Sequence, residues 1–436
     1  MTFFGLLRKQ DGHRTVMSVR NMIALSHSLL SERGEVSGSH LASEILSSYQ
    51  SLVPSARAEF FDRLVKDFSP DPQQVGSAGD TYRNEPSADN LARLLRVVEP
   101  QRQELFRRLN LGPGGTRVLV EMRAQLLEDL RANPHWKPIE ADLAHLLTSW
   151  FNRGFLVLRR IDWRSPASIL ERLIHYEAVH EIKGWDDLRR RLEADRRCYG
   201  FFHPALPDEP IVFVEVALRR GLSDRVQPLL DPSTPVLSPK SADCAVFYSI
   251  TNCQKGLRGI PLGSFLIKQV VEDLSKQLPH IKTFATLSPV PGFRKWLSQN
   301  LRGISPRYLS LENSLAKLDN SKRLEDAKLS SEWQRDLVSL CAHYLVNAKQ
   351  GKEPLDSVAR FHLRNGARLE RINWLADTSP LGMQRSAGLM ANYVYRLADV
   401  ERNHELYSRE YEVSTSRAIE TLARGRAAFY WSGPQK

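Results

Sequence analysis

Three glycines and two cations fall together in Gln254-Lys255-Gly256-Leu257-Arg258-Gly259-Ile260-Pro261-Leu262-Gly263-Ser264. Where such a turn opens a helix, its backbone N–H groups lack intrahelical partners and lie at the positive end of the helix dipole, and Lys255 and Arg258 add charge beside them. That chemistry suits phosphate oxygens. Two further side chains stand out. Ser288 heads Ser288-Pro289-Val290-Pro291-Gly292-Phe293, and His362 lies within Val358-Ala359-Arg360-Phe361-His362-Leu363-Arg364-Asn365-Gly366. An imidazole exchanges protons near neutrality, and a hydroxyl both donates and accepts. Taken singly, Ser288 before Pro289 also fits a strand end that starts a turn, and His362 between Phe361 and Leu363 also fits a satisfied core histidine.

Strands and a helix must position the glycine turn. Ala245, Val246, Phe247, Tyr248, Ser249 and Ile250 form a compact apolar run, rich in aromatic and β-branched residues, that predicts a buried strand before the turn. After it, Leu262, Phe265, Leu266, Val270, Val271 and Leu274 recur at helical spacing, with Lys268, Glu272, Asp273 and Lys276 on the wet face. Lys282 to Leu287 is a second apolar run, so the helix links two neighbouring strands. Ligands of open α/β sheets collect at loops of this kind.

Ahead of this stretch, residues 1 to about 150 predict helix after helix. Helical periodicity runs over Asn21 to Leu30, Leu41 to Leu52, Ala56 to Phe68, Leu91 to Leu109, Val118 to Leu130 and Ile139 to Phe151. Gly34 to Gly38, the Pro70 and Pro72 region and Gly112-Pro113-Gly114-Gly115 read as separators. His13, His27, His40, His135 and His145 show no ligand spacing. From Phe155 the texture changes: strands are expected at Phe155 to Ile161, Cys198 to His203 and Ile211 to Leu218. Helices are expected at Ser165 to His180, with a serine cap and Pro166 in the first turn, and at Trp185 to Arg197. Residues 219–243 read as a long, mobile loop, and a helix is expected from Leu324 to Leu345. Repeats are absent by eye. The fold class expected is α+β, an all-helical bundle over 1–150 followed by a mixed α/β domain over 151–436.

Composition bounds the function. The chain has 436 residues, 42% hydrophobic and 25% charged, which places it among globular proteins of two or three domains. No window has the unbroken apolar length of a membrane span, so no membrane partner is expected. The N-terminal Met1 to Val16 puts apolar residues before basic ones, the reverse of a secretory signal, and the C-terminal Gly433-Pro434-Gln435-Lys436 is not a peroxisomal address. Cys198, Cys244, Cys253 and Cys341 lack paired spacing, which argues against a zinc site or a disulfide scaffold and for a reducing, cytoplasmic setting. Net charge is +11, yet the arginines of Asp187-Leu188-Arg189-Arg190-Arg191-Leu192-Glu193 have acidic neighbours and read as a solvated helix face, not a nucleic-acid stripe.

The glycine turn resembles the pyrophosphate-binding turn of acetyl-coenzyme A-dependent acetyltransferases, with Arg258 and Gly263 matching and Pro261 replacing the first glycine. A broader resemblance covers roughly residues 150–400 in order. FFHPALPDEP at 201, AVFYSI at 245, GIPLGSFLIKQVV at 259, LSPVPGFRKWL at 287, VARFHLRNGARLERINWLAD at 358 and GLMANY at 388 are similar to the malonyl-coenzyme A decarboxylase family. That resemblance implies a helical N-terminal domain used for oligomerisation, an acetyltransferase-like catalytic domain and a homo-oligomer, a tetramer of paired dimers.

It also implies the reaction and its residues. Malonyl-coenzyme A would lose carbon dioxide to give an enolate, which is then protonated to acetyl-coenzyme A. Ser288 and His362 would be the catalytic pair, with the protonation of carbon left open between them. Arg258, Gly259, Ile260, Pro261, Leu262, Gly263 and Ser264 would hold coenzyme A. No metal or separate cofactor is expected, because the thioester itself delocalises the charge and coenzyme A belongs to substrate and product. Changing Ser288 or His362 to alanine should leave the fold largely intact. Asn365, Asn373 and His203 stay outside the catalytic set. Two rival functions are an acyltransferase that uses the same loop with an amine acceptor and a non-catalytic malonyl-coenzyme A sensor.

Overall fold

The structure, a computed structural model, describes residues 18–31, 35–262, 266–300 and 327–424. It forms two compact units: the first holds the chain to Phe155 together with His203–Pro207 and Gln254–Leu262, and the second holds the remainder.

The first unit is built from α1 (Val19–Ser31), α2 (Glu35–Gln50), α3 (Pro54–Asp67), α4 (Pro72–Asn84), α5 (Ala88–Val98), α6 (Gln101–Leu111), α7 (Gly115–Asp129) and α8 (Lys137–Trp150). Met22, Phe60, Phe61, Leu64, Phe106, Leu109, Leu119, Trp136 and Leu143 come from one face of several helices and share one buried core. Burying such faces stabilises helices that would be marginal alone. The expected helix from Leu91 to Leu109 is two helices. Pro100 supplies no N–H to continue the first and occupies the cap of the second. The Pro70 and Pro72 region separates α3 from α4 as expected, but it also starts α4, where the Asp71 side chain accepts from Gln73 N–H and Pro72 takes the first turn. Similarly, α2 already begins at Glu35, inside the segment expected to be a separator.

In the second unit, apart from His203 of β2 and Leu206 and Pro207 of β3, β1 (Val157–Ile161), α9 (Ala167–Tyr176), α10 (Trp185–Arg191), β2 (Arg196–His203), β3 (Leu206–Arg219), α11 (Gln227–Leu230) and β4 (Cys244–Asn252) come first. They are followed by α12 (Leu266–Gln277), β5 (Thr283–Thr286), β6 (Ser288–Pro289), α13 (Phe293–Asn300) and α14 (Ala327–Val346). A short β7 (Lys349–Gln350) and β8 (Glu353–Pro354) pair lead to α15 (Ser357–Arg364), β9 (Arg368–Asn373), α16 (Pro380–Ser386), β10 (Met390–Tyr395), α17 (Leu397–Glu410) and α18 (Arg417–Arg424). The main sheet runs β1-β2-β3-β4-β5-β10-β6, with β9 also on β10. β4 and β5 are parallel, whereas β1–β2, β3–β4 and the pairs made by β10 are antiparallel. This is the α+β architecture expected, a helical front part followed by a mixed sheet flanked by helices.

Three expectations in this unit need correction. Pro166 caps α9, and the Ser165 hydroxyl instead accepts from Asp162 N–H at 3.1 Å. The arginine run is not a solvated face, because α10 stops at Arg191 and its last two arginines are buried. Arg190 pairs with Asp195 at 2.8 Å and Arg191 with Glu215 at 2.9 Å, the form in which buried guanidinium groups are tolerated. Residues 219–243 are also pinned: Val226 and Leu229 are buried, Val226 N–H donates to the Ala376 carbonyl at 2.8 Å, and Arg196 donates to the Leu229 carbonyl at 2.9 Å.

Candidate active site

β5 and β6 form one nearly continuous line along β10, interrupted at Leu287. Side chains two apart on extended backbone face the same way, which puts the hydroxyls of Thr286 and Ser288 on one side. Parallel pairing of β4 with β5 ends at Phe247 against Thr286, and Leu287 N–H makes one further bond to the Phe247 carbonyl at 2.9 Å. β4 continues against β3 as far as Asn252. Among the described strands, the edge of β4 beyond Phe247 therefore has no partner on the β5 side, and β6 runs beside it. Glu177 steadies that end of β4: its buried carboxylate accepts from Ser249 Oγ at 2.8 Å and from the His180 N–H at 2.7 Å.

His362 arrives on α15. Ala359, His362 and Leu363, at helical spacing, form the buried face of that helix. Asp356 caps it, accepting from Val358 N–H at 3.0 Å and Ala359 N–H at 2.9 Å, and takes a third bond from the Tyr344 hydroxyl at 3.3 Å. Burial raises the Asp356 carboxyl above its usual range, with those backbone donors opposing the rise. Gly292 lies against this cap, where a Cβ would come within 2.3 Å of the Tyr344 hydroxyl.

The hydroxyl and the imidazole meet. Ser288 Oγ lies 2.9 Å from His362 Nε2 and donates to Thr286 Oγ1 at 2.8 Å. On the far side of the ring, His362 Nδ1 lies 2.8 Å from the Tyr395 hydroxyl, and Tyr393 stacks on the ring with centroids 4.6 Å apart. Ser288 is 5% exposed and His362 2%. Loss of water around the ring depresses its basicity to a pKa of about 3, so the imidazole is neutral across the physiological range. Burial also corrects the expectation that His362→Ala spares the fold, since the side chain fills space among Phe361, Tyr393 and Tyr395.

The expected coenzyme A turn is part of the first unit and packs on α7. Arg123 of α7 donates to the Gly256 carbonyl at 2.6 Å and the Arg258 carbonyl at 3.0 Å, and Gly256 is required because a Cβ would lie 1.9 Å from the Val120 carbonyl oxygen. Arg258, Gly259 and Pro261 are exposed, Leu262 is half-buried and Ile260 is buried. Gly259 takes a φ of +80°, a conformation that favours glycine. The Arg258 N–H bonds the Lys255 carbonyl and the Ile260 N–H bonds the Leu257 carbonyl, while Pro261 has no N–H, so the amides outside these turns are those of Gly259 and Leu262. Gly263 and Ser264 lie outside the described residues.

His203 belongs to the helical unit, where its Nε2 lies 3.0 Å from the Trp150 carbonyl, and Asn365 bonds the Phe361 carbonyl of its own helix at 2.7 Å. Asn373 donates to Asn392 at 2.8 Å. Thr286, Tyr393 and Tyr395 were not singled out from sequence. The alternations Thr286-x-Ser288 and Tyr393-x-Tyr395 on extended segments are the signal that places each pair on one face. Among the described residues no group of three or more His, Cys, Asp or Glu side chains is placed to hold a metal ion, and no helix is long and apolar enough to cross a membrane.

Comparison with known proteins gives a consistent result. A family model described as the malonyl-CoA decarboxylase C-terminal domain matches residues 154–430, and one described as the malonyl-CoA decarboxylase N-terminal domain matches residues 68–151. Among curated proteins, the mitochondrial malonyl-CoA decarboxylase of Anser anser anser is 37% identical over 399 residues, covering 84% of this chain and 79% of that protein. The Rattus norvegicus counterpart is 36% identical over 417 residues, covering 87% and 84%. Among solved structures, malonyl-CoA decarboxylase from Rhodopseudomonas palustris superposes with a TM-score of 0.88 at 48% identity, over 93% of this chain and 100% of that one. The Agrobacterium vitis enzyme gives 0.87 at 46% identity, over 92% and 99%.

Proposed function

The chain belongs to the malonyl-CoA decarboxylase family and is a decarboxylase of malonyl-CoA, and we propose that Ser288 and His362 carry its reaction. The single observation that supports this most is the 2.9 Å contact between Ser288 Oγ and His362 Nε2 in a setting almost closed to water. In this reading the malonyl carboxylate lies against the Ser288 and His362 pair, and its charge moves into the thioester as carbon dioxide departs. A dry site weakens solvation of the localised carboxylate more than that of the spread charge of the transition state. Backbone donors along the unpartnered edge of β4 suit the enolate oxygen. The pair then gives the enolate carbon the proton that completes acetyl-CoA and regains one from solvent as product leaves.

The diphosphate of coenzyme A is assigned to Arg258 through Ser264, with the Gly259 and Leu262 amides as neutral donors and Arg258 as the charge. Phosphate contacts act alike on ground and transition states, so they set KM. The same reading includes a metal-independent reaction and a homo-oligomer in the cytoplasm. The curated relatives are mitochondrial proteins, and cell fractionation distinguishes the two compartments.

The decisive experiment incubates the purified protein with malonyl-CoA, without acceptor and after dialysis against a chelator. One carbon dioxide and one acetyl-CoA per malonyl-CoA, at a rate unchanged by chelation, is the expected outcome. Thiol release only on addition of an amine would indicate acyl transfer, and tight binding without turnover would indicate a sensor.

A further inference from the structure

We infer that Thr286 is a positioning residue that fixes the direction of proton donation through Ser288 and His362, an inference that rests on the reading of that pair given above. The starting point is a defect in the sheet. β10 pairs with β5 through Val394 against Ala285 and Tyr395 against Phe284, and with β6 through Met390 against Pro289 and Ala391 against Ser288. Between them the register of β10 against β9 slips at Asn392 and Tyr393. In that gap the Tyr393 N–H donates to the Thr286 side chain, Oγ1, at 3.2 Å, and the Asn392 amide donates to the Thr286 carbonyl at 2.7 Å. Asn392 is held in turn by Asn373 at 2.8 Å and Arg371 at 3.1 Å. Thr286 is fully buried and anchored at both main chain and side chain.

Hydrogen-bond arithmetic follows from this anchoring. A hydroxyl offers one proton and two lone pairs. Thr286 Oγ1 accepts from Tyr393 N–H and from Ser288 Oγ–H, so both of its lone pairs are engaged and the single proton of Ser288 is committed. The contact between Ser288 Oγ and His362 Nε2 then holds a hydrogen only if Nε2 carries it. A neutral imidazole has one N–H, which leaves Nδ1 bare to accept from the Tyr395 hydroxyl at 2.8 Å. The bonds therefore run one way, from Tyr395 to His362 to Ser288 to Thr286. In this polarity the imidazole faces the serine as a donor and not as the base of a nucleophilic serine, and proton delivery follows when the Ser288 O–H turns from Thr286 to the enolate carbon while His362 Nε2–H restores it.

Nitrogen-15 chemical shifts of histidine-labelled protein test this directly, with His362→Gln used only to assign the signal. The expected result is a His362 ring with Nε2 protonated and Nδ1 bare in the wild type and in Thr286→Ser, and a shift toward the Nδ1–H tautomer in Thr286→Val. With malonyl-CoA, Thr286→Val should lower kcat on the order of tenfold with KM little changed, less than the loss of an acid or base itself. An Nδ1–H tautomer in the wild type, or an unchanged tautomer in Thr286→Val, would overturn the inference. Should Thr286→Val fail to fold, the wild-type tautomer alone decides. The spectra need no substrate, so they test the direction of the bonds apart from the catalytic role of the pair, whose failure would appear as wild-type rates in Ser288→Ala.

Discussion

At the scale of single residues, the candidate site pairs a neutral imidazole with a hydroxyl, both almost closed to water. Removing the Ser288 hydroxyl should lower kcat and kcat/KM together by about 10²- to 10⁴-fold, the range for loss of a positioned acid or base. Steady-state kinetics of Ser288→Ala and of His362→Gln, which keeps more of the ring's volume than alanine, measure this. An effect confined to KM would remove the residue from the chemical step. A second consequence concerns stability. Burial holds His362 at a pKa of about 3 and His180 at about 4 in the folded chain, against an ordinary value near 6.5 once unfolded. Between those limits the unfolded state binds more protons, so the stabilising share of each ring is complete above the unfolded value and is lost as pH falls. Each proton contributes a slope of about 1.4 kcal/mol per pH unit. Urea unfolding from pH 6 to pH 4.5 should show His362→Gln reducing the slope by about that amount. An unaltered slope would mean that the folded ring is charged. Ser288 and His362 were legible in the sequence only through family resemblance, because their separation along the chain says nothing of contact. Thr286 and Tyr395 were not legible, since a threonine and a tyrosine on apolar strands look like ordinary core residues until their partners are placed.

At the scale of elements, the helix that delivers the imidazole is only eight residues long and depends on its cap. The Asp356 side chain takes two first-turn N–H groups that otherwise lack partners, so Asp356→Ala should cost about 1–2 kcal/mol of stability. It should also lower kcat by letting His362 shift relative to Ser288. Asp356→Asn retains a side-chain acceptor and relieves a buried carboxyl whose ionisation is already resisted, so its urea midpoint should lie close to the wild type. Equal damage from both substitutions would show that the charge, not the cap, holds the helix. Strands β1 to β5 were legible because compact apolar runs and proline-rich turns are local signals, whereas β9 and β10 were not expected because polar residues interrupt them. The break at Pro100 was missed because helical periodicity continues across it. α4 was missed because Gly76, Gly79 and its polar residues give it a weak apolar stripe, while tertiary contact and the Asp71 cap override that weakness.

At the scale of the whole molecule, the chain does not divide into its two compact units at a single point. The chain leaves β4, contributes Gln254–Leu262 to the helical unit, and then continues as α12 of the second unit. A helix bundle expected to serve assembly thus also fixes the shape of the turn assigned to coenzyme A. Arg123 is the group that does so: it is 3% exposed, pairs with Glu140 at 2.7 Å, and spends its other amino group on two carbonyls of the turn. Two substitutions separate shape from charge. Arg258→Ala removes a cation meant for phosphate and should raise KM for malonyl-CoA by about tenfold, with a steeper effect at low ionic strength and kcat within about twofold of wild type. Arg123→Ala should raise KM similarly by loosening the turn, but without that dependence on salt, since Arg123 is buried and engaged with carbonyls. It should also lower stability by about 1–3 kcal/mol, because the Gly256 and Arg258 carbonyls lose their donor and Glu140 its partner. A wild-type KM in Arg123→Ala, with the loss of stability present, would mean that the bundle supports the turn without shaping the binding of substrate.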